Sequence, residues 1–176
     1  MTVVNPADAV SARKLLDEVV DTDGPAYVRL GRSGVPVIYG DDADIKVGKA
    51  NTVREGTDVT IIATGIMVAD ALEAADELAA KGVSARVIDM HTIKPIDSDA
   101  IKAAADTGKI VTAEEHSVIG GLGSAVAEVL VQNEPVKVAM VGQKDTFGES
   151  GKPDELRAKY GLTKADIINA VTNTLE

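Results

Sequence analysis

Two arginines lie close together after a short apolar run, where they could bind an anion. Arg29 and Arg32 occur in the segment Val28-Arg29-Leu30-Gly31-Arg32-Ser33-Gly34-Val35-Pro36. An arginine on a glycine-containing loop at the carboxyl end of a strand can hold a phosphate through paired N–H donors. The same side chains could instead be solvated or pair with the acidic cluster from Asp41 to Asp44. Both arginines are therefore candidate substrate-binding residues.

The chain has two histidines, His91 and His116. His116 follows Glu114-Glu115 after an apolar run, and ligands gather at the carboxyl ends of strands in open parallel sheets. A neighbouring carboxylate could raise the pKa of His116 or help to hold a cation. A single histidine without a second cluster of ligands gives little support for a metal site. We expect structural capping or a subunit contact for both histidines rather than catalysis.

A glycine-rich segment, Gly120-Gly121-Leu122-Gly123-Ser124, opens a predicted helix directly after a predicted strand. Backbone amides at such a place can cradle an anion. The segment is also a partial dinucleotide-binding fingerprint, but Val126 occupies the position of the last glycine. The acidic residue closest to the expected distance of about 20 residues is Asp145, in a predicted loop. We interpret it as a tight turn that packs a helix on a sheet.

The composition limits the classes of partner. The 176 residues include 28 acidic and 18 basic side chains, a net charge of −10, and no cysteine. A negative surface repels nucleic acid. It also repels anionic metabolites at long range, so a phosphorylated substrate needs a local basic group. No apolar run approaches membrane-spanning length, and no basic and apolar leader follows Met1. The absence of cysteine excludes disulfides, and we expect a cytoplasmic protein.

The candidate residues follow apolar runs that alternate between strand and helix spacing. Val59 to Ala63 is a near-continuous apolar run that predicts a strand covered on both faces. From Met67 to Ala79, apolar residues recur at helical spacing and stop before Gly82. The predicted order continues as strand Ala85–Ile88, helix Asp97–Ala105 with Asp97 as N-cap, strand Ile110–Ala113, helix Leu122–Leu130, strand Val136–Val141, and helices Pro153–Lys159 and Lys164–Thr174.

This order predicts an α/β fold. Helices between short strands are crossovers over a parallel sheet, and Lys49–Arg54 could add an edge strand. We expect three layers: a mostly parallel, five-stranded sheet with helices on both faces. Before it, strand Thr2–Val4, a helix to about Val20 and strand Ala26–Leu30 form one strand-helix-strand unit. We expect Asn5 to cap that helix and Pro6 to take its first position.

Four segments in this order and spacing resemble the carboxy-terminal domain of the transketolase family. They are Ile61–Gly65, Ile88–Asp97, Glu114–Gly123 and Phe147–Gly151. The resemblance runs from about Gly56 to the end of the chain and continues weakly to Met1. It implies a transferase of carbohydrate metabolism, in the pentose phosphate pathway, that moves a two-carbon ketol group between sugar phosphates with thiamine diphosphate and magnesium. In the matching motif of the family, Arg32 falls on the arginine that binds the sugar phosphate.

The resemblance also indicates which parts of the cofactor site are missing. Family members hold magnesium with a Gly-Asp-Gly motif and an Asn roughly 25–30 residues later, oxygen ligands that suit this cation. Here Gly40-Asp41-Asp42 and Asn51 are a near match with the wrong third residue and too short a spacing. The glutamate that activates the cofactor lies upstream in the family. We therefore expect no cofactor, metal or catalytic residue in this chain and predict that it is inactive alone.

The resemblance implies a domain division and an assembly. Residues 1–38 would be the end of a pyrimidine-binding domain, 39–55 a linker rich in glycine and aspartate, and 56–176 the carboxy-terminal domain. The strand-helix-strand unit is too small to bury its own faces, so it reads as the end of a larger domain. The expected partners are an amino-terminal half or subunit that binds thiamine diphosphate, and a second copy in a homodimer.

Other functions remain open at this point. Deoxyxylulose-phosphate synthase and the β subunit of 2-oxoacid dehydrogenases share the same domain. The loop at Arg32 favours the sugar-phosphate branches, and the lack of a Pro-Arg-Gly sequence favours transketolase over the synthase. The remaining alternatives are a non-catalytic assembly or regulatory module of the same fold and a small nucleotide-binding protein that uses Gly120–Gly123.

Overall fold

The computed structural model describes residues 1–176 as eight strands and six α-helices. The strands are β1 (Thr2–Val4), β2 (Ala26–Val28), β3 (Asn51–Arg54), β4 (Val59–Ala63), β5 (Ala85–Asp89), β6 (Thr92–Lys94), β7 (Lys109–Ser117) and β8 (Lys137–Gln143). The helices are α1 (Ala9–Val20), α2 (Met67–Ala79), α3 (Ser98–Ala104), α4 (Leu122–Gln132), α5 (Pro153–Tyr160) and α6 (Lys164–Leu175), with a 3-10 turn at Ala105–Thr107.

The main sheet has five strands in the order β3-β5-β4-β7-β8. All neighbours are parallel except the edge strand β3, which runs antiparallel to β5. Every residue of β4 is buried, as expected for an apolar strand in the middle of a parallel sheet. The structure confirms the mostly parallel, five-stranded sheet that the sequence predicts.

Helices cover both faces of this sheet. On one face α2 and α6 pack around Ile61, Val87 and Val111, and the buried alanines of α2 allow a close approach. On the other face α3 and α4 pack around Ile62, Ile88 and Ile110. The predicted three-layer α/β fold is therefore confirmed, with alternate residues of β4 facing opposite layers. No helix in the chain is both long and apolar enough to cross a membrane.

The first strand-helix-strand unit packs on the rest of the chain. Strand β1 pairs with β2 in parallel and with β6 in antiparallel orientation, which makes a second sheet of three strands. Val4 and Leu15 are fully buried against Ile45. The sequence did not predict β6, whose three residues follow β5 after only two others. The second sheet thus joins β1 and β2 to a strand from the following part of the chain.

The start of α1 differs from the prediction. The helix begins at Ala9 with Asp8 as N-cap, in a capping box with Ser11, and not after Asn5 and Pro6. Asn5 is held by the sheets instead: its N–H donates to the His91 carbonyl, and its carbonyl accepts from Gly65 N–H. These backbone bonds keep Asn5 extended, so the helix starts at the next residue that can cap it.

The predicted cap of α3 is confirmed, and two other helix ends follow local rules. Asp97 caps α3, and Thr163 caps α6 in a box with Asp166. Gly161 ends α5 in the left-handed conformation, at φ 69°, where glycine has no steric penalty.

Two adjacent leucines of α1 provide a test of this packing. Leu15→Ala should lower the free energy of unfolding by about 2–5 kcal/mol, because it leaves a cavity beside Val4. Leu16 is 42% exposed, so Leu16→Ala should change it by less than about 0.5 kcal/mol. Urea unfolding of the chain and both variants measures the difference. Equally small effects of both substitutions would show that this unit does not belong to the cooperative fold.

Candidate functional site

Chemically active side chains gather at the carboxyl edge of the parallel strands. Strands β4, β5, β7 and β8 all end at this edge, where open α/β sheets place their ligands. The residues at the ends of these strands or just beyond them include Gly65, Asp89, His91, Glu114 and His116. The three-stranded second sheet lies against the same edge, through the bonds of Asn5 to Gly65 and His91.

Glu114 is the central side chain of this edge. It is fully buried, and its Oε2 accepts from the Leu122 amide at 2.6 Å while Oε1 accepts from the Gly123 amide at 2.8 Å. Amides at the start of a helix have no partner within the helix, and the positive end of the helix dipole stabilises a carboxylate there. The chain thus supplies its own anion at the position where the glycine-rich turn could have bound a ligand.

Two glycines of this turn make room for the carboxylate and for the helix. A Cβ at Gly121 would lie 2.0 Å from Glu114 Oε2, and a Cβ at Gly123 would lie 2.7 Å from Met140 Sδ on β8. The glycines are therefore explained by close packing of α4 on the sheet, which agrees with the interpretation of this segment as a packing turn.

His116 is oriented by the same carboxylate. Its Nδ1 lies 3.0 Å from Glu114 Oε2 and 3.2 Å from the Ser117 carbonyl oxygen. Both neighbours accept hydrogen bonds, so Nδ1 carries the proton, and Nε2 has no partner within the chain. The hydrogen bond to Glu114 raises the pKa of His116 above its ordinary value of 6.5, against the opposing effects of partial burial and of Arg29.

The structure places the two candidate arginines in different cavities. Arg29 donates from Nη2 to the Glu115 carbonyl at 3.0 Å, and its Nη1 lies 3.5 Å from Glu115 Oε2. It lines a cavity of about 330 Å³ together with His116. Arg32 is exposed and lines another cavity, of about 360 Å³. That cavity is also lined by Glu115, Gln143, Glu149, Tyr160 and Arg157.

Arg32 makes no ion pair, and the acidic cluster does not approach it. Asp41 pairs with Arg13 at 2.7 Å instead. The guanidinium of Arg157, on the wall of the same cavity, pairs with Asp70 at 2.5 Å, and its Nε has no hydrogen-bond partner. The cavity of Arg32 is therefore lined by one unpaired cation and by the Arg157–Asp70 ion pair.

The sequence reasoning did not single out the buried Asp89. This carboxyl group is fully buried, and Tyr39 Oη donates to its Oδ2 at 2.8 Å while Oδ1 has no partner. Burial, together with the charge of Asp8, raises the pKa of Asp89 to about 7, against the effect of the Tyr39 hydrogen bond. An aspartate at the last position of an apolar strand was the available signal, at Ile88-Asp89.

His91 is also fully buried. Its Nδ1 lies 3.0 Å from Thr92 Oγ1, and its Nε2 lies 3.1 Å from Asn51 Oδ1. Burial lowers the pKa of His91 to about 4, so the ring is neutral at physiological pH. Its hydrogen bonds connect β6 to the edge strand β3, which is a structural role.

The residues of the chain do not fit thiamine diphosphate and magnesium. Asp41 is tied to Arg13, and the Asn51 side chain is bonded to the Asp44 carbonyl and to His91. No three His, Cys, Asp or Glu side chains converge on a point where a metal could bind. The amides of Leu122 and Gly123, which could have received a diphosphate, already bind Glu114.

Comparison with known proteins gives consistent matches. The family model described as "Transketolase, C-terminal domain" matches residues 48–167. The chain is 48% identical over 177 residues to the 6-deoxy-6-sulfo-D-fructose transketolase subunit SqwH of Clostridium sp. (strain MSTE9), covering 100% of the chain and 55% of that protein. It is 49% identical over 169 residues to an apulose-4-phosphate transketolase subunit of Phocaeicola vulgatus, covering 95% of the chain and 54% of that protein.

A solved structure agrees with the sequence matches. It is described as a split gene transketolase, an inactive beta4 tetramer, and it superposes with a TM-score of 0.96 at 52% identity. The match covers 99% of the chain and 58% of the solved one. The chain thus spans about half the length of the curated relatives it matches.

The buried Asp89 predicts a pH dependence of stability. The folded-state pKa of about 7 lies above the ordinary value of 3.8, so folding disfavours the ionised form. The contribution of Asp89 to stability is fully present below pH 3.8 and is lost as the pH rises through 7. Asp89→Asn removes this loss. The free energy of unfolding of the variant minus that of the wild type should therefore increase between pH 3.8 and 7, by at most roughly 4 kcal/mol.

Urea unfolding of both proteins across this pH range measures the difference. Any cost of the amide itself is independent of pH, so the change with pH isolates the carboxyl group. A difference that stays constant from acid to neutral pH would show that Asp89 ionises normally.

Proposed function

The chain belongs to the transketolase C-terminal domain family, and we propose that it acts as the carboxy-terminal part of a split transketolase. The complete assembly would transfer a two-carbon ketol group between sugar phosphates. The observation that carries the proposal is the match along the whole chain to a transketolase subunit, at 48% identity, and to a split gene transketolase of known structure, at 52% identity.

We propose that the chemistry takes place with a partner section. The amino-terminal half or subunit would hold thiamine diphosphate and magnesium, because the residues of this chain do not fit them. This chain would contribute an interface and a substrate-binding arginine. Two copies of the chain would form a homodimer within the assembly. A cytoplasmic location, with no nucleic acid or membrane as partner, is part of the same proposal.

The domain division is part of the proposal as well. Residues 1–38 would complete a pyrimidine-binding domain, residues 39–55 would connect it, and residues 56–176 would form the carboxy-terminal domain. Strand β2 supports this division, because it is an edge of the second sheet with exposed Ala26 and Tyr27. A further strand from the partner section could pair there. The pairing of β1 with β6 would then fix the two domains to each other.

We assign the substrate anion to Arg32. Its charge is unpaired, and its cavity also holds the guanidinium of Arg157. The names of the two relatives describe a sulfo sugar and a sugar phosphate, and each of these substrates carries an anionic group that a guanidinium binds well. Arg29 was the other candidate. Its guanidinium contacts Glu115 and lines a separate cavity, so the proposal gives it no phosphate contact.

Replacing Arg32 tests this assignment in the enzyme reconstituted with its amino-terminal section. Arg32→Ala should raise KM for phosphorylated sugars about ten- to a hundredfold, because a charge-assisted hydrogen bond contributes roughly 1.5–3 kcal/mol. KM for the unphosphorylated sugars should change little. Arg13→Ala is the matched control, since Arg13 pairs with Asp41 at an exposed site. Equal effects of Arg32→Ala on both kinds of sugar would assign Arg32 to structure.

The proposed binding of the cofactor by the amino-terminal section gives a further prediction. The purified chain should not transfer ketol groups when supplied with thiamine diphosphate and magnesium, because binding energy elsewhere cannot replace a correctly held cofactor. A coupled assay should detect transfer only after the amino-terminal section is added. Transfer by the chain alone, above the rate of a preparation without protein, would contradict the proposal.

A further inference from the structure

A second cavity at the carboxyl edge is not used by the proposed ketol transfer. It has a volume of about 330 Å³ and is lined by Val3, Asn5, Tyr27, Arg29, His116 and Leu122, among others. It shares no lining residue with the cavity of Arg32. Its volume lies at the small end of the range of roughly 300–1,000 Å³ that is typical of small-molecule sites.

Two basic side chains line this cavity from different elements. Arg29 follows β2, and its Nε is not used by Glu115, which contacts only the two Nη atoms. His116 ends β7, and its ring is held by Glu114 through Nδ1, so Nε2 is free. Both side chains are fixed before a ligand arrives, because each is tied to an acidic neighbour. Such preorganisation lowers the entropy cost of binding.

The charges of the site favour a ligand with one negative charge. Glu115 offsets Arg29, and Glu114 offsets His116, so the cavity offers donors without a large excess of positive charge. The chain as a whole carries a net charge of −10, which opposes a dianion further. The remaining walls include the apolar side chains of Val3, Ile93 and Leu122, and the ring of Tyr27. These walls suit the hydrocarbon part of an organic acid.

We propose that the cavity between Arg29 and His116 binds a small organic carboxylate. The carboxylate would accept hydrogen bonds from Arg29 and from Nε2 of the His116 ring in its doubly protonated form, so binding requires a pH below the pKa of His116. The apolar body of the ligand would lie against Val3 and Tyr27. The proposal does not rest on ketol transfer or on Arg32, so the two can fail independently.

The two histidines make the test specific. His116 lines the cavity, whereas His91 is buried with both ring nitrogens in hydrogen bonds. Long-range proton–nitrogen NMR spectra of the imidazole rings can follow both during a titration of the chain with sodium benzoate. Sodium chloride at equal ionic strength is the reference. The signals of His116 should shift and saturate, and those of His91 should not move.

The choice of anion tests the chemistry. Benzoate should bind about tenfold more tightly than acetate, because the ring buries apolar surface that acetate lacks. Inorganic phosphate should bind more weakly than benzoate. A shift of His116 that is linear in concentration, or is the same in sodium chloride, would overturn the proposal. Tighter binding of phosphate than of benzoate would overturn the assignment to a carboxylate.

Substitutions identify the donors. Arg29→Gln should weaken benzoate binding at least about tenfold, as expected for loss of a charge-assisted hydrogen bond, and Arg13→Gln should leave it unchanged. Glu115→Gln leaves the charge of Arg29 without its partner, so it should tighten binding. A shift of the His91 signals in Arg29→Gln would show that this substitution disturbs the fold. In that case the binding measured with Glu115→Gln decides whether Arg29 contacts the ligand. Unchanged binding in Glu115→Gln and in a folded Arg29→Gln would overturn the proposal.

A final titration separates a free ligand from a protein contact. The benzoate response of His116 should persist after the amino-terminal section is added. Loss of the response in that complex would show that the section covers these donors, and it would overturn a site for a free carboxylate.

Discussion

The hydrogen bonds of Glu114 to the start of α4 organise the carboxyl edge of the sheet. A buried carboxylate needs partners that offset the loss of water, and the amides of Leu122 and Gly123 provide them at the positive end of the helix. The same carboxylate fixes His116, and Gly121 is required beside it. One interaction thus joins β7 to α4, fills the possible anion site of the turn, and orients a histidine toward a cavity.

Most polar groups at the carboxyl edge of the sheet make hydrogen bonds within the chain and are not available to a ligand. Asn5, Gly65 and His91 use their backbone groups to join the second sheet to the main sheet. The side chains of His91 and Asp89 make hydrogen bonds to other buried or half-buried side chains. What is left for ligands is the pair of cavities that contain Arg29 and Arg32, separated by Glu115. This arrangement agrees with the proposal that the chain contributes an interface and an anion-binding residue while another section holds the cofactor.

Local sequence patterns predicted most of the main sheet and its helices. The run from Val59 to Ala63 is apolar enough to be a central strand in any context, and Asp97, Thr163 and Gly161 follow local rules for helix ends. The second sheet depends on tertiary contacts. Strand β6 exists because β1 pairs with it, and the cap of α1 moved from Asn5 to Asp8 because Asn5 is bonded to His91 and Gly65. The separation of Arg29 from Arg32 also required the fold, since they are only three residues apart.

The pKa of His116 in the chain and in the Glu114→Gln variant is the most direct measurement of the Glu114 interaction. Glutamine is nearly the same size and keeps an acceptor for the amides of α4, but it removes the negative charge beside the imidazole. NMR titration should give a pKa for His116 above 6.5 in the wild type and a lower one in the variant, with His91 as the internal reference. The same pKa for His116 in both proteins would show that Glu114 does not hold this ring, and would contradict the arrangement described for the carboxyl edge.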